Sequence, residues 1–293
     1  MTSGKIVVTG AAGQLGRQLV TAFRQDGWEV AGRGHAELDL ADAGAGQHVA
    51  GERANVVINA AAWTDVDGCA RDPDRAMQIN GIAAGRVAEA AAAGGALSVQ
   101  ISTNEVFDGT AARSYREDDE PNPINPYGAS KLAGERAVIG ANPRHLIVRT
   151  AWIFGPGGRN FPSKIIEAAA RQRAAGEPLR VVADEIGNPT WAPDLAKAIH
   201  AAVRALLGGQ LAPGALHICG EPPVSRFGWA ERILEATQDV TLVPVSAAAF
   251  PRASRVPLRA VLATDKARAL GIGPFDWNAP TSQYAADLAA VAS

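Results

Sequence analysis

Cysteine is scarce in this chain: two of 293 residues, Cys69 and Cys219. They lie far apart and lack the paired spacing of a zinc site or a redox dithiol, so both are expected to be reduced and packed. Five histidines, at 35, 48, 145, 200 and 217, never fall four apart, the spacing that puts two imidazoles on one helix face. No catalytic metal is therefore expected, and magnesium is not predicted from the sequence. Charge of one sign is missing too. The 28 basic and 30 acidic residues leave a net charge of -2, which gives no broad positive field for a phosphate backbone and argues against nucleic acid as a partner. No apolar run approaches the roughly 20 residues that cross a bilayer. "MTSGKIVVTG" also lacks the basic-then-apolar layout of a signal peptide, so a cytoplasmic protein without a membrane partner is expected.

What the chain does have is ordinary globular composition, 47% hydrophobic and 20% charged, enough for one large or two modest cores. Short β-branched runs alternate with helical periodicity from the start. "KIVVT" at 5–9 leads into an amphipathic stretch, Gln14 to Gln25, and then come "WEV" near 28–30 and an Ala-rich helix. "NVVINA" at 55–60, a long helix over about 73–93 and "ALSVQIS" at 96–102 follow. A helix starting near Pro126 and ending by Gly140 precedes the buried strand "HLIVRTAWIFG". Strands separated by helices pair in parallel through right-handed crossovers. The predicted fold is α/β, a Rossmann-type doubly wound parallel sheet with a smaller, mixed α/β C-terminal substrate lobe. The dinucleotide-binding domain takes 1–153 and 193–217, and the lobe takes 154–192 and 218–293, where Gly/Pro-rich punctuation interrupts the alternation.

The first strand runs into "TGAAGQLG", which places Gly10, Gly13 and Gly16 between a strand and a helix. Glycines there let a pyrophosphate reach the unpaired N–H groups of the helix start, which makes the turn a dinucleotide site. An acid at the end of the second strand accepts from the ribose 2'-hydroxyl of NAD. Here Arg33 and His35 stand in its place, which favours NADPH, with NADH possible. Arg33 as a solvated loop charge is the other reading. Asp39, with Leu40 beside it, either receives the adenine amino group or caps a helix.

Tyr127 and Lys131 lie four apart on one helix face. A phenol with a reference pKa of about 10 exchanges protons slowly at neutral pH unless a nearby cation stabilises its anion. Taken alone, the pair reads equally well as surface. Ser102, Thr103 and Asn104, however, lie where the run at 96–102 ends, at the carboxyl edge of the sheet, where doubly wound folds bind ligands. A hydroxyl there can share the charge that develops on a substrate oxygen, although Thr103 is also a common type of turn residue.

"TGAAGQLG", "VVINAAAWTDVDGCA", "ISTNEVFDG", "NPINPYGASKLAGE", "RTAWIFG" and "DEIGNPT", in order over residues 5–195, resemble the extended short-chain dehydrogenase/reductase superfamily and, within it, the dTDP-4-dehydrorhamnose reductases. Beyond about residue 200 the match is weak. The resemblance implies NAD(P)H-dependent reduction of the C4 ketone of dTDP-4-dehydro-L-rhamnose to dTDP-L-rhamnose, by a monomer or homodimer. In that reading Tyr127 donates the proton, Lys131 binds the nicotinamide ribose and lowers the phenol pKa, and Thr103 tunes the acid. It further implies Gln14 and Leu15 beside the pyrophosphate, Ala61, Ala62 and Thr64 along the middle of the cofactor, and Asn104, Glu105 and Trp152 toward the sugar. Arg255 either binds the diphosphate or is solvated. Two departures stand out. Asn104-Glu105 replaces the Asp-Tyr of the enterobacterial form, and no glutamates map onto the interface magnesium of some members. Another nucleotide 4-keto-6-deoxy-sugar reductase or epimerase, and a non-catalytic dinucleotide-binding subunit, are the alternatives.

Overall fold

The computed structural model describes residues 4–42, 44–235 and 240–292. Strand β1 (Lys5–Thr9) leads through the glycine turn to α1 (Gln14–Gln25), followed by β2 (Glu29–Arg33), α2 (Ala45–Gly51), β3 (Val56–Asn59) and α3 (Val66–Arg71). Helix α4 (Pro73–Ala76) passes through a π-helical turn, Met77–Ile82, into α5 (Ala83–Ala93). Strand β4 (Leu97–Thr103), α6 (Pro126–Ala141) and β5 (His145–Thr150) complete the first half.

The second half holds β6 (Ile153–Phe154), α7 (Phe161–Ala175), β7 (Leu179–Val182), β8 (Ile186–Gly187), β9 (Thr190–Trp191), α8 (Ala192–Leu207) and β10 (Gly214–His217). After these come β11 (Gly220–Glu221), β12 (Val224–Ser225), α9 (Arg226–Leu234), β13 (Leu242–Val245), α10 (Asp265–Ala269), β14 (Phe275–Asp276) and α11 (Asn278–Ala292). Among the described residues no helix is long and apolar enough to cross a membrane.

Six strands form one parallel sheet in the order β10-β5-β4-β3-β1-β2. Every residue of β3 and β4 is buried, because helices cover both faces and leave no strand residue to face water. On one face Leu15, Leu19 and Phe23 of α1 pack with Leu195, Ile199 and Val203 of α8. On the other, α2 and α5 close over Val7 and Val57 through Val49, Ala83 and Val87. The winding reverses between β1 and β3, and the crevice at the carboxyl ends of these strands is where such sheets receive ligands. A separate apolar cluster joins Ile165 of α7, Leu179 and Val181 of β7, Trp229 and Ile233 of α9, and Tyr284 of α11.

Two elements differ from the sequence expectation. The helix over 73–93 contains the π turn, in which one extra residue per turn bulges the backbone, a feature hydrophobic periodicity does not reveal. The strand predicted to run through 155 ends at Thr150. Trp152 takes a left-handed φ of +43°, so the chain turns and Ile153–Phe154 pair with Thr190–Trp191 outside the main sheet.

Candidate active site

The glycine turn is tight for a steric reason. Gly10 has φ +67°, and a Cβ on Gly16 would lie 2.1 Å from the Gly10 carbonyl oxygen. Any side chain there would force α1 away from β1. Gly13 precedes α1 without a side-chain cap, so the first N–H groups of the helix have no side-chain acceptor. Gln14 adds a donor: its Oε1 accepts from Asn160 Nδ2 at 3.1 Å, while its buried Nε2 has no hydrogen-bond partner among the described residues. An orphan donor beside a positive helix end fits an anionic group such as a pyrophosphate.

From this turn a cleft of about 420 Å³ runs along the sheet edge. It is lined by Gly13, Gln14, Leu15, Gly16, Ala62, Thr64, Thr103, Asn104, Glu105, Tyr127, Lys131 and Trp152. The structure thus gathers twelve of the expected residues in one place. Gly10 and Ala61 do not line it but press against each other beside it in the chain: a Cβ on Gly10 would meet the Ala61 nitrogen at 2.7 Å.

Tyr127 is placed by the start of α6. Asn125 caps that helix, its Oδ1 accepting from Gly128 N at 2.7 Å, and Pro126 preorganises the first turn. Gly128 lets the helix press against the turn after β4: a Cβ there would sit 2.1 Å from the Glu105 carbonyl oxygen. This contact brings the end of β4, with Thr103, against the turn that bears Tyr127. From the other side, Asn80 in the π turn donates to Ser130 Oγ at 3.1 Å and to the Trp63 carbonyl at 3.0 Å, and accepts from Trp63 N at 2.8 Å. The loop carrying Ala62 and Thr64 is thereby bound to the helix carrying Tyr127 and Lys131.

Both reactive groups are buried, Tyr127 at 9% and Lys131 at 3% exposure. Burial raises the phenol pKa well above its ordinary value and the Glu105 carboxylate raises it further, while hydrogen bonding with the Thr103 hydroxyl pulls it down. The expected lowering by Lys131 is absent from these influences. Lys131 Nζ instead donates to the Ile101 carbonyl at 2.6 Å, and burial lowers its own pKa to about 8 against the opposing charge of Glu135. Glu135 is itself held by Arg149, at 2.8 to 3.2 Å, and by the Ser102 hydroxyl. A neutral, raised phenol is set to give up a proton to a stronger base, such as an alkoxide.

Four further expected residues stand outside the cleft. Arg33 pairs with Glu52 at the end of β2, and Glu52 also holds Lys5 at 2.7 Å. Asp39 Oδ1 accepts from Ala41 N at 2.9 Å, a local turn contact, and Leu40 is buried with Val7 and Val49. Arg255 is exposed and reaches the site only through its carbonyl, which accepts from Asn125 Nδ2 at 2.9 Å.

Past Trp152 the cleft opens into a second cavity of about 530 Å³, sharing Thr64, Trp152 and Ile153 with the first. Its cations are Lys164, Arg180, Arg226 and Arg252, opposed by Glu185. The Arg226 guanidinium lies 3.5 Å from the Trp152 ring centre and 3.5 Å from Glu185, and burial lowers its pKa to about 10. Arg252 pairs with Asp67 at 3.1 Å. Sequence reasoning missed Arg226, Arg252, Asn80 and Asn160. The Asn-Pro step before Tyr127 did carry a readable cap signal for Asn125, whereas no local pattern marks an arginine that reaches a cavity lined by residues far away in the chain.

The RmlD substrate binding domain matches residues 4–290. This chain belongs to that family. Within the RmlD family, a dTDP-4-dehydrorhamnose reductase of Streptomyces griseus is 38% identical over 283 residues, covering 94% of this chain and 91% of the relative. The structure of a dTDP-4-dehydrorhamnose reductase from Clostridium acetobutylicum superposes with a TM-score of 0.89 at 35% identity, covering 97% of this chain and 99% of that one. The Bacillus anthracis reductase, solved in complex with NADP, gives 0.88 at 32% identity, over 98% and 100% of the two chains. The RmlD match extends well past residue 200, where the motifs faded.

Proposed function

We propose that this chain is a dTDP-4-dehydrorhamnose reductase: it reduces the C4 ketone of dTDP-4-dehydro-L-rhamnose to dTDP-L-rhamnose in cytoplasmic nucleotide-sugar biosynthesis. NADPH is the preferred donor, with NADH as the alternative. The observation that carries this reading is that Thr103, Tyr127 and Lys131 line one cleft between a glycine turn and an arginine-rich cavity. The name of the Streptomyces relative and the NADP in the Bacillus structure support it.

The cofactor supplies a hydride to the ketone carbon when bound. The N–H groups after Gly13 and the orphan Nε2 of Gln14 hold its pyrophosphate, with Leu15, Gly16, Ala62 and Thr64 along its length. Lys131 binds the ribose. Thr103 orients the ketone oxygen, and Tyr127 releases its proton to that oxygen as negative charge develops. Residues 154–192 and 218–293 form the sugar-nucleotide side, where Trp152 flanks the sugar and the arginines receive the diphosphate.

Purified protein is expected to oxidise NADPH when given the 4-keto sugar nucleotide. Tyr127→Phe should lose at least a hundredfold in kcat, the usual worth of a positioned acid, with NADPH affinity within about threefold, since the phenol's part is the proton rather than the pyrophosphate. Unchanged turnover in a folded Tyr127→Phe variant would withdraw the mechanism.

A further inference from the structure

The proposed reduction assigns no step to one acidic side chain of the cleft. Glu105 follows Thr103 and Asn104 in a short 3-10 turn, and its backbone N donates to Thr103 Oγ1 at 3.1 Å. Its carboxylate Oε2 accepts from Asn125 Nδ2 at 2.7 Å. Because Asn125 Oδ1 is committed to capping α6, its amide is fixed, and the carboxylate is therefore held by the residue that places Tyr127. The other carboxylate oxygen has no hydrogen bond among those of the described residues, and the side chain lines the same cleft as Thr103 and Tyr127.

Holding a carboxylate there is unfavourable for reduction alone. Burial raises its pKa, partly offset by Asn125 and by the charges of Arg252 and Arg226, while Glu185 adds to the rise. Its negative charge also works against ionisation of the phenol beside it. A ketone bound between Thr103 and Tyr127 would present its flanking C–H bonds to this wall of the cleft. A carboxylate with a raised pKa is a competent base for such a proton, and two hydroxyls on the carbonyl oxygen stabilise the resulting enolate.

We infer that Glu105 is a general base for a second activity of the same cleft, the exchange of a proton on a carbon adjacent to the ketone of the bound 4-keto sugar nucleotide. The C–H bond breaks, its proton passes to the Glu105 carboxylate, and its electron pair moves through the new C=C bond to the carbonyl oxygen, held by Thr103 and Tyr127. The carboxyl equilibrates with solvent and returns a proton to the same carbon, restoring the ketone. No oxidant, reductant or net change of composition is involved. The inference rests on the ketone-bearing substrate of the proposed function.

The test incubates the full chain with the 4-keto sugar nucleotide and NADP⁺, which cannot donate hydride, in deuterium oxide, and follows deuterium at the carbons flanking the ketone by NMR. Reduction of the same substrate by NADPH is measured in parallel. Exchange at least tenfold above the protein-free rate is expected. In Glu105→Gln, where the amide oxygen still accepts from Asn125, the exchange rate itself should fall at least tenfold, while reduction responds separately to loss of the charge beside the phenol. Reduction without exchange in the unaltered chain would overturn the inference and leave the reductase reading standing, as would a Glu105→Gln variant with an unchanged exchange rate. Glu105-dependent exchange without reduction would uphold the inference and withdraw the reductase reading. Loss of both would overturn both.

Discussion

At the scale of single residues, chain-local geometry sets two features of the site and a distant partner sets a third. Tyr127 and Lys131 share a helix face by spacing alone, and Gly16 stands where only a hydrogen fits against the Gly10 carbonyl. The sign of the influence on the phenol was not legible, because it depends on Glu105 arriving from another element and on Lys131 turning to Ile101. Arg33 shows the same limit. Its position at the end of β2 is that of a cofactor-selecting residue, yet Glu52, from just after α2, already engages it. A 2'-phosphate would have to compete with that carboxylate. Glu52→Gln should therefore free the guanidinium and lower KM for NADPH relative to NADH by roughly three- to tenfold, an effect of about 1 kcal/mol as befits a partly exposed pair. Steady-state kinetics with both donors decide it; a ratio unchanged from the parent chain would mean that Arg33 does not meet the 2' position.

Among elements, the first five strands of the main sheet and helix α6 followed from apolar runs, the Pro126 start and the crossover rule. The π turn did not, since Met77–Ile82 keeps the same composition whether or not the helix bulges. It is also the turn that supplies Asn80 to join the loop at Trp63 to α6. The strand β10 contributes His217, fully buried beside Phe107 with ring centres 5.8 Å apart. Burial first, and then the charge of Arg149, lowers its pKa to about 3 from 6.5. Below pH 6.5 the unfolded chain takes up a proton that the folded chain refuses, so stability falls as pH drops from 6.5 toward 3, by up to about 1.4 kcal/mol per pH unit. In His217→Leu that part of the slope should vanish. Urea unfolding at pH 7 and pH 5 measures it as a smaller loss of stability between the two pH values than in the parent chain; equal losses would refute the assignment.

For the whole molecule, a net charge of -2 hides a strongly asymmetric site. Lys164, Arg180, Arg226 and Arg252 come from separate elements of the second half and meet only when that half folds over Trp152. Their convergence was invisible to composition, and the late arginine singled out from sequence, Arg255, sits three residues from one that lines the cavity. Arg226 is immobilised by aromatic rings and Glu185, so its loss would disturb packing as well as binding. Arg252 is the cleaner probe, tied to the frame among the described residues by one ion pair, to Asp67. If the diphosphate lies in this cavity while hydride transfer takes place on the far side of Trp152, Arg252 contributes to binding equally in ground and transition states. Arg252→Gln should then raise KM for the sugar nucleotide roughly ten- to a hundredfold, the worth of one charge-assisted hydrogen bond, while kcat stays within about threefold and KM for NADPH does not move. A matching fall in kcat would place Arg252 at the reacting sugar, and an unchanged KM would put the diphosphate elsewhere.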